Sequence, residues 1–157
     1  MKFNYKLLTL CIAIPLAVGS LSGLITKDSM EAFETLNKPA LSPPGIVFPI
    51  VWTILYILMG ISSYLVVTSG QGKNKIREAL IFYGLQLIFN FFWSIWFFSF
   101  GWYLFSFIWL LILWVLIFNT IASFYEISKI AAYLMIPYIL WVSFAGYLNF
   151  MVWLLNR

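Results

Sequence analysis

The chain has 157 residues, of which 64% are hydrophobic, 21% are aromatic and only 9% are charged, and its net charge is +4. This composition and a mean hydropathy of +0.99 exclude a water-soluble globular domain and are typical of a membrane protein with several spans. The chain has no His and a single Cys, which excludes a zinc centre, a His-ligated haem iron and an intrachain disulfide. We therefore expect no metal and no required cofactor.

Five apolar segments are long enough to cross a membrane, because about 20 apolar residues in a helix span about 30 Å of hydrocarbon. The longest, residues 79–125, has 47 residues without an Asp, Glu, Lys or Arg, and 19 of them are aromatic. Its only turn signal lies at residues 99–101, so it contains two spans. We predict one all-α domain over residues 1–157, an integral membrane bundle of five helices with an external loop at 27–45. The spans are expected at about residues 5–26, 46–68, 79–98, 101–124 and 130–155.

The first span has two features of its own. Lys2 and Lys6 precede its apolar run and small residues follow, a pattern that also fits a secretory signal. Gly19 and Gly23 form a small-xxx-small pair, which predicts the close approach of another helix.

Lysine and arginine are distributed unequally over the two ends of the predicted bundle. Six of the nine cations fall on the side of the N-terminus and of the loops 69–78 and 126–129. This bias predicts a cytoplasmic N-terminus and an external C-terminus, in what we expect to be a bacterial plasma membrane. The positive charge therefore reflects topology and gives no indication of nucleic-acid binding.

The segment from Asn37 to Trp52, NKPALSPPGIVFPIVW, contains four of the six prolines. Its first half cannot be helical and is predicted to be an ordered external loop. Ser42 is a suitable N-cap with Pro43 at the first helical position, so the second helix is predicted to begin near Pro43 or Pro44.

Aromatic and small side chains recur at helical spacing on four spans, so that each forms a stripe on one helix face. Aromatic surface beyond what lipid requires favours a flat ligand, yet the same stripes are typical of helix packing and of interfacial aromatic belts. Both interpretations stay open. The stripes comprise Phe48, Trp52 and Tyr56; Gln86, Asn90, Trp93 and Phe97; Trp102, Phe105 and Trp109; and Trp141, Ala145, Leu148 and Val152.

Polar residues within the spans narrow the function classes. Asn90 requires a hydrogen-bond partner in hydrocarbon, and this partner is either a ligand or another helix. Ion-coupled carriers and channels place charged residues inside their spans, and the five uncharged runs have none, which argues against those classes.

Three segments of the chain resemble the translocator protein family (TspO/MBR), also called peripheral benzodiazepine receptors or tryptophan-rich sensory proteins. The resemblance implies a five-helix bundle, often a homodimer, whose first loop covers a pocket for porphyrins and benzodiazepine-site ligands. Light-dependent breakdown of protoporphyrin IX is reported within the family, so the resemblance leaves enzyme activity open. The segments are NKPALSPPGIVFPIVWTILYILMGISSYLV from Asn37, QLIFNFFWSIWFF from Gln86 and PYILWVSFAGYLNFMVW from Pro137.

The stripes and the resemblance together predict a ligand site. Trp52 and Trp141 are the positions that the resemblance connects with photo-oxidation of porphyrin, and the propionates of a porphyrin would face Lys27 or Lys38. The full predicted set is Phe48, Trp52, Asn90, Trp93, Trp102, Trp141, Ala145, Leu148 and Lys38.

The first loop departs from the family pattern. Ala32 and Phe33 stand where members commonly have Trp-Tyr, and Leu41 stands where they have Trp, so the loop is expected to close less firmly over a ligand. Two other function classes remain. One is a transporter or passive carrier of lipophilic molecules such as a tetrapyrrole or sterol, and the other is a ligand-dependent sensor or scaffold.

Overall fold

The computed structural model describes residues 2–157, and its regular secondary structure over these residues is entirely helical. Five helices are long and apolar enough to cross a membrane, which confirms the predicted all-α bundle. The elements are α1 Tyr5–Thr26, a 3-10 turn Lys27–Ser29, the short helix α2 Met30–Glu34, α3 Val47–Val67, α4 Lys73–Ser94 with a π turn Ile95–Ser99, α5 Tyr103–Tyr125 and α6 Lys129–Leu155.

Local sequence sets the helix starts. Asn4 caps α1 by accepting a hydrogen bond from the Leu7 N–H at 3.1 Å, and Ser128 caps α6 by accepting one from the Ala131 N–H at 3.3 Å. Helix α4 begins at Lys73, well before the expected span at residue 79, because its first two turns are polar and continue the helix beyond the apolar run.

The predicted start of α3 is wrong. The helix begins at Val47, not at Pro43 or Pro44. A proline disfavours helical backbone at the residue before it, so Pro44 disfavours a helix that begins at Pro43. The Ser42 N–H donates to a loop carbonyl 3.0 Å away, and Ser42 caps no helix. Pro49 consequently lies in the first turn of α3, where its missing N–H costs no helical hydrogen bond.

The five spanning helices pack as a closed ring. Helix α1 contacts α3 and α4, α3 contacts α6, α6 contacts α5, and α5 returns to α4. Helices α3 and α6 are the most buried of the spans, whereas α1 is the most peripheral. The core lies inside this ring and includes the fully buried side chains of Met59, Val66, Ile117, Met135 and Tyr138.

Two glycines bring α1 and α3 into close contact. A Cβ at Gly60 would overlap the α1 backbone at Ile12, and one at Gly19 would overlap the ring of Tyr56. Gly19 thus meets the close-approach expectation. Gly23 does not, because a Cβ there would meet nothing within 4 Å. The two helices are therefore in tight contact up to Gly19 and separate beyond it.

A chain of hydrogen bonds crosses the middle of the bundle and joins α3, α4 and α6. The Tyr56 hydroxyl donates to Asn90 Oδ1 at 2.6 Å, and Asn90 Nδ2 donates to the Tyr138 hydroxyl at 3.0 Å. The Tyr138 hydroxyl donates in turn to Gln86 Oε1 at 2.7 Å. All four side chains are buried. Asn90 therefore forms hydrogen bonds between helices. The sequence had left open whether its partner is a ligand or another helix.

The connection between α4 and α5 is a π turn followed by a glycine. The Phe100 N–H donates to the Ile95 carbonyl at 3.2 Å, and the Trp102 N–H donates to the Trp96 carbonyl at 3.1 Å. Gly101 has φ of 63°, a left-handed conformation that glycine adopts without steric cost. The chain thereby reverses within three residues and starts α5 at Tyr103.

The tight α1–α3 contact predicts that Gly60→Ala destabilises the protein by about 1–3 kcal/mol, because the added methyl group has no room against the α1 backbone. Thermal unfolding in one detergent measures the change. Gly84→Ala is the matched control, since a Cβ at that helical glycine meets nothing within 4 Å. Equal melting temperatures for the two variants would contradict the packing described.

The buried hydrogen-bond chain predicts that Asn90→Leu lowers the free energy of unfolding by about 2–4 kcal/mol, because it removes the partner of two buried tyrosine hydroxyls. Asn119→Leu is the control, since the half-buried Asn119 side chain donates an exposed hydrogen bond to the Val115 carbonyl of its own helix. Equilibrium unfolding in mixed detergent distinguishes them. A loss no greater than that of the control would show that the chain contributes little to stability.

Candidate functional site

A cavity of about 470 Å³ lies at the end of the bundle where the first loop crosses it. It is enclosed by the C-terminal half of α1, the beginning of α3, the end of α4 with its π turn, and the C-terminal half of α6. The segment from Lys27 to Gly45 covers it from above. The cavity therefore occupies the region where α1 and α3 have separated.

Aromatic rings form the walls of this cavity. The Trp52 ring stacks on the Tyr56 ring with centroids 5.6 Å apart, and it meets the Trp93 ring at 6.4 Å. Trp93 in turn stacks on Phe97 at 5.6 Å. Because Tyr56 also belongs to the hydrogen-bond chain of the core, the orientation of the Trp52 wall is tied to the centre of the bundle.

The roof is held by two sets of contacts. Phe33 of α2 packs on Phe97 and Phe98, with ring centroids 5.6 and 5.3 Å apart. Asn156, which directly follows α6, forms two hydrogen bonds through its side-chain amide with the backbone of Asn37. The Asn37 N–H donates to Asn156 Oδ1 at 3.0 Å, and Asn156 Nδ2 donates to the Asn37 carbonyl at 2.9 Å. The loop is thus fastened both to α4 and to the end of α6.

Among the described residues that line the cavity, two are charged, and both belong to the segment that covers it. Lys27 and Glu34 line it, and the Glu34 carboxylate is paired with Lys38 Nζ at 3.0 Å. Within residues 2–157, Lys27 makes no ion pair. Of the charged side chains that line the cavity, the one without an ion pair is therefore the cation Lys27, which suits a ligand with an anionic group at one end.

The structure brings five of the predicted site residues to the cavity surface. They come from three helices: α3 contributes two, α4 one and α6 two. The five are Phe48, Trp52, Trp93, Ala145 and Leu148.

The other four predicted residues lie outside the lining. Asn90 is beneath the floor, bonded to two tyrosines. Lys38 lies behind Glu34, with Nζ 4.7 Å from the centre of the Phe33 ring. Trp141 packs against Phe48, with ring centroids 5.9 Å apart, so Phe48 and not Trp141 presents its ring to the cavity.

Trp102 is the largest departure from the predicted site. Its side chain is 49% exposed on the outside of the bundle, and it stacks on the Trp96 ring with centroids 5.8 Å apart. The π turn and Gly101 reverse the chain just before Trp102, so Trp102 stacks on Trp96 of the π turn and leaves the cavity wall to Phe97 and Phe98.

Asn149 is a lining residue that the predicted set lacks. Its Oδ1 accepts hydrogen bonds from Trp93 Nε1 at 3.0 Å and from the Ser106 hydroxyl at 3.1 Å, and its Nδ2 donates to the Tyr103 carbonyl at 2.7 Å. It therefore fixes the Trp93 indole from α6. The spacing Trp141, Ala145, Asn149 at four-residue intervals is the sequence signal that could have identified it.

One side of the cavity is open toward the membrane. Ser20 and Gly23 of α1 and Pro49 and Thr53 of α3 line the cavity and are exposed. These residues border the gap that opens where α1 and α3 separate. The gap gives the cavity a lateral opening on the lipid-facing surface of the bundle.

Comparisons with known proteins agree with this architecture. The sequence profile of the TspO/MBR family matches residues 11–154. The chain is 40% identical to the tryptophan-rich protein TspO of Chlorobaculum tepidum, over 98% of this chain and 99% of that protein. It is 32% identical to the tryptophan-rich sensory protein of Cereibacter sphaeroides, over 99% and 95%. It is 34% identical to the translocator protein of Homo sapiens, over 92% and 85%. The chain therefore belongs to the TspO/MBR family and is an integral membrane protein.

Proposed function

We propose that this protein is a membrane receptor for flat, largely apolar molecules that carry an anionic group, with porphyrins such as protoporphyrin IX as the ligand class. The observation that supports this most directly is the aromatic cavity of about 470 Å³ with the free cation Lys27 at its rim. Ligand sites of this size are commonly apolar and aromatic, with a few placed polar groups. In the orientation that the lysine and arginine bias favours, the cavity opens on the outer side of the membrane.

Each part of such a ligand has a counterpart in the cavity. The macrocycle would pack against Trp52 and Trp93, whose indoles are held by Tyr56 and Asn149. Its carboxylates would remain at the rim near Lys27, because moving a carboxylate into hydrocarbon without a partner is costly. The benzodiazepine-site ligands implied by the family resemblance are also flat and aromatic, and we expect them to use the same walls.

The proposal predicts that Trp52→Ala weakens protoporphyrin IX binding by about tenfold, since one aromatic contact contributes about 0.5–1.5 kcal/mol beyond its buried area. Trp102→Ala is the matched control, because it removes an indole outside the cavity. A titration in the dark, followed by Trp quenching and the porphyrin Soret band, measures both. Equal affinities for Trp52→Ala and wild type would remove the assigned site, and a loss in Trp102→Ala alone would move it to the outer face.

The same titration also tests whether Lys27 binds the anionic group of the porphyrin. Methyl esterification of the two porphyrin carboxylates should weaken binding to the wild-type protein. The same esterification should change little in Lys27→Gln, because the partner cation is already gone. Lys38→Gln should retain the wild-type response, since Lys38 is paired with Glu34. An ester effect of equal size in all three proteins would show that the anionic group does not meet Lys27.

Light-dependent breakdown of bound porphyrin would draw on the indoles nearest to it. These are Trp52 and Trp93, whereas Trp141 is separated from the cavity by Phe48. Under illumination, the Trp52→Ala and Trp102→Ala pair reports whether porphyrin loss depends on the cavity indole. Loss of more than one porphyrin per chain would show turnover. Loss that stops at one, with oxidised tryptophan, would make the protein a reactant.

The lateral opening between α1 and α3 supports a second function, passive carriage of lipophilic molecules. Ser20, Gly23, Pro49 and Thr53 border this opening, which would face the lipid phase in a membrane. This candidate predicts that vesicles containing the protein exchange porphyrin or sterol with acceptor vesicles faster than empty vesicles do. Gly23→Phe, which would fill the opening, should slow the exchange, whereas the lipid-facing Leu24→Phe should not. Exchange equal to that of empty vesicles would count against carriage.

A further inference from the structure

A second concave site lies at the end of the bundle opposite to the ligand cavity. It is a surface groove of about 490 Å³ where the end of α3 approaches the first turns of α4. The described side chains that line it are Val67, Lys73, Ile76, Arg77, Leu80 and Ile81. The ligand cavity draws on none of these residues.

The groove changes from cationic to apolar along one face of α4. Lys73, Arg77 and Ile81 follow each other at four-residue intervals, so they lie on one side of the helix and about 6 Å apart along its axis. Leu80 adjoins Ile81, and Ile81 is 51% exposed. One turn further along this face, a Cβ at Gly84 would meet nothing within 4 Å, so open space follows the groove along the helix. An occupant therefore meets charge at one end and apolar surface at the other.

The two cations of the groove have no acidic partner. The ion pairs within residues 2–157 are Lys38 with Glu34 and Lys75 with Glu126. Lys75 lies between Lys73 and Arg77 in sequence but is directed toward Glu126, to whose carbonyl it also donates a hydrogen bond at 3.1 Å. Glu78, the acid nearest in sequence, does not line the groove. Lys73 and Arg77 thus leave an uncompensated double positive charge above an apolar surface.

We propose that this groove binds one anionic phospholipid, with its phosphate between Lys73 and Arg77 and an acyl chain along Leu80, Ile81 and Gly84. Arginine suits this role because its guanidinium binds phosphate through two parallel hydrogen bonds, and basic pockets between membrane helices are known to hold anionic head groups. A second copy of this chain is the less suitable occupant, because a symmetric contact would bring two such cation pairs together.

The test compares lipid binding by the full-length protein and two double variants in a neutral detergent. Native mass spectrometry gives the affinity for phosphatidylglycerol and for phosphatidylcholine. Lys73→Gln/Arg77→Gln should lower the phosphatidylglycerol affinity by about tenfold and leave the phosphatidylcholine affinity unchanged. Lys75→Gln/Lys129→Gln loses the same charge from the same end of the bundle and should retain the wild-type preference.

A third variant and a competition measurement distinguish a lipid groove from diffuse attraction, a soluble-anion site and a contact between chains. Gly84→Leu fills the open part of the groove and should lower phosphatidylglycerol affinity severalfold with both cations in place. The proposal is overturned by equal losses in the two double variants, which would indicate diffuse attraction, or by no loss in the Lys73/Arg77 variant. Competition by glycerol 3-phosphate at matching concentration would show a soluble anion site. A change of oligomeric state in Lys73→Gln/Arg77→Gln alone would indicate that the groove is a contact between chains.

Discussion

The structure depends on the cost of leaving a polar group in hydrocarbon without a hydrogen-bond partner. Tyr56, Asn90, Tyr138 and Gln86 satisfy one another across three helices. Their geometry allows little variation, because rotation of any one helix would leave a hydroxyl or amide without a partner. The positions of α3, α4 and α6 relative to one another are therefore fixed at the middle of the bundle.

The shape of the cavity depends on this fixed centre of the bundle. Tyr56 serves both regions: its hydroxyl belongs to the hydrogen-bond chain, one side of its ring lies against Gly19 of α1, and Trp52 stacks on it. Helix α1 is held close to α3 as far as this ring and is free to diverge beyond it. Tyr56 thus links the hydrogen-bonded core, the glycine contact with α1 and the aromatic wall of the cavity.

The sequence was sufficient for the fold because the bilayer imposes its own length and polarity on a helix. The number of spans followed from uncharged run lengths, and the stripe on α3 placed Phe48 and Trp52 on the cavity side. The position of Trp102 did not follow, since the π turn adds a residue that helical spacing does not anticipate. Asn90 has an amide whose partner, helix or ligand, only the three-dimensional contacts could decide. Trp141 lies on the correct helix but behind Phe48, a distinction that depends on packing.

Because of the π turn Ile95–Ser99, the shape of the cavity wall depends on the number of residues in the α4–α5 connection. A π turn holds one residue more than the α-helical turn it replaces, and each residue corresponds to about 100° of rotation. Deleting one residue would rotate Phe97 and Phe98 away from the positions from which they meet Phe33. It would also separate Trp96 from Trp102. Insertions and deletions in this segment would therefore alter the inner wall and the outer indole stack at once.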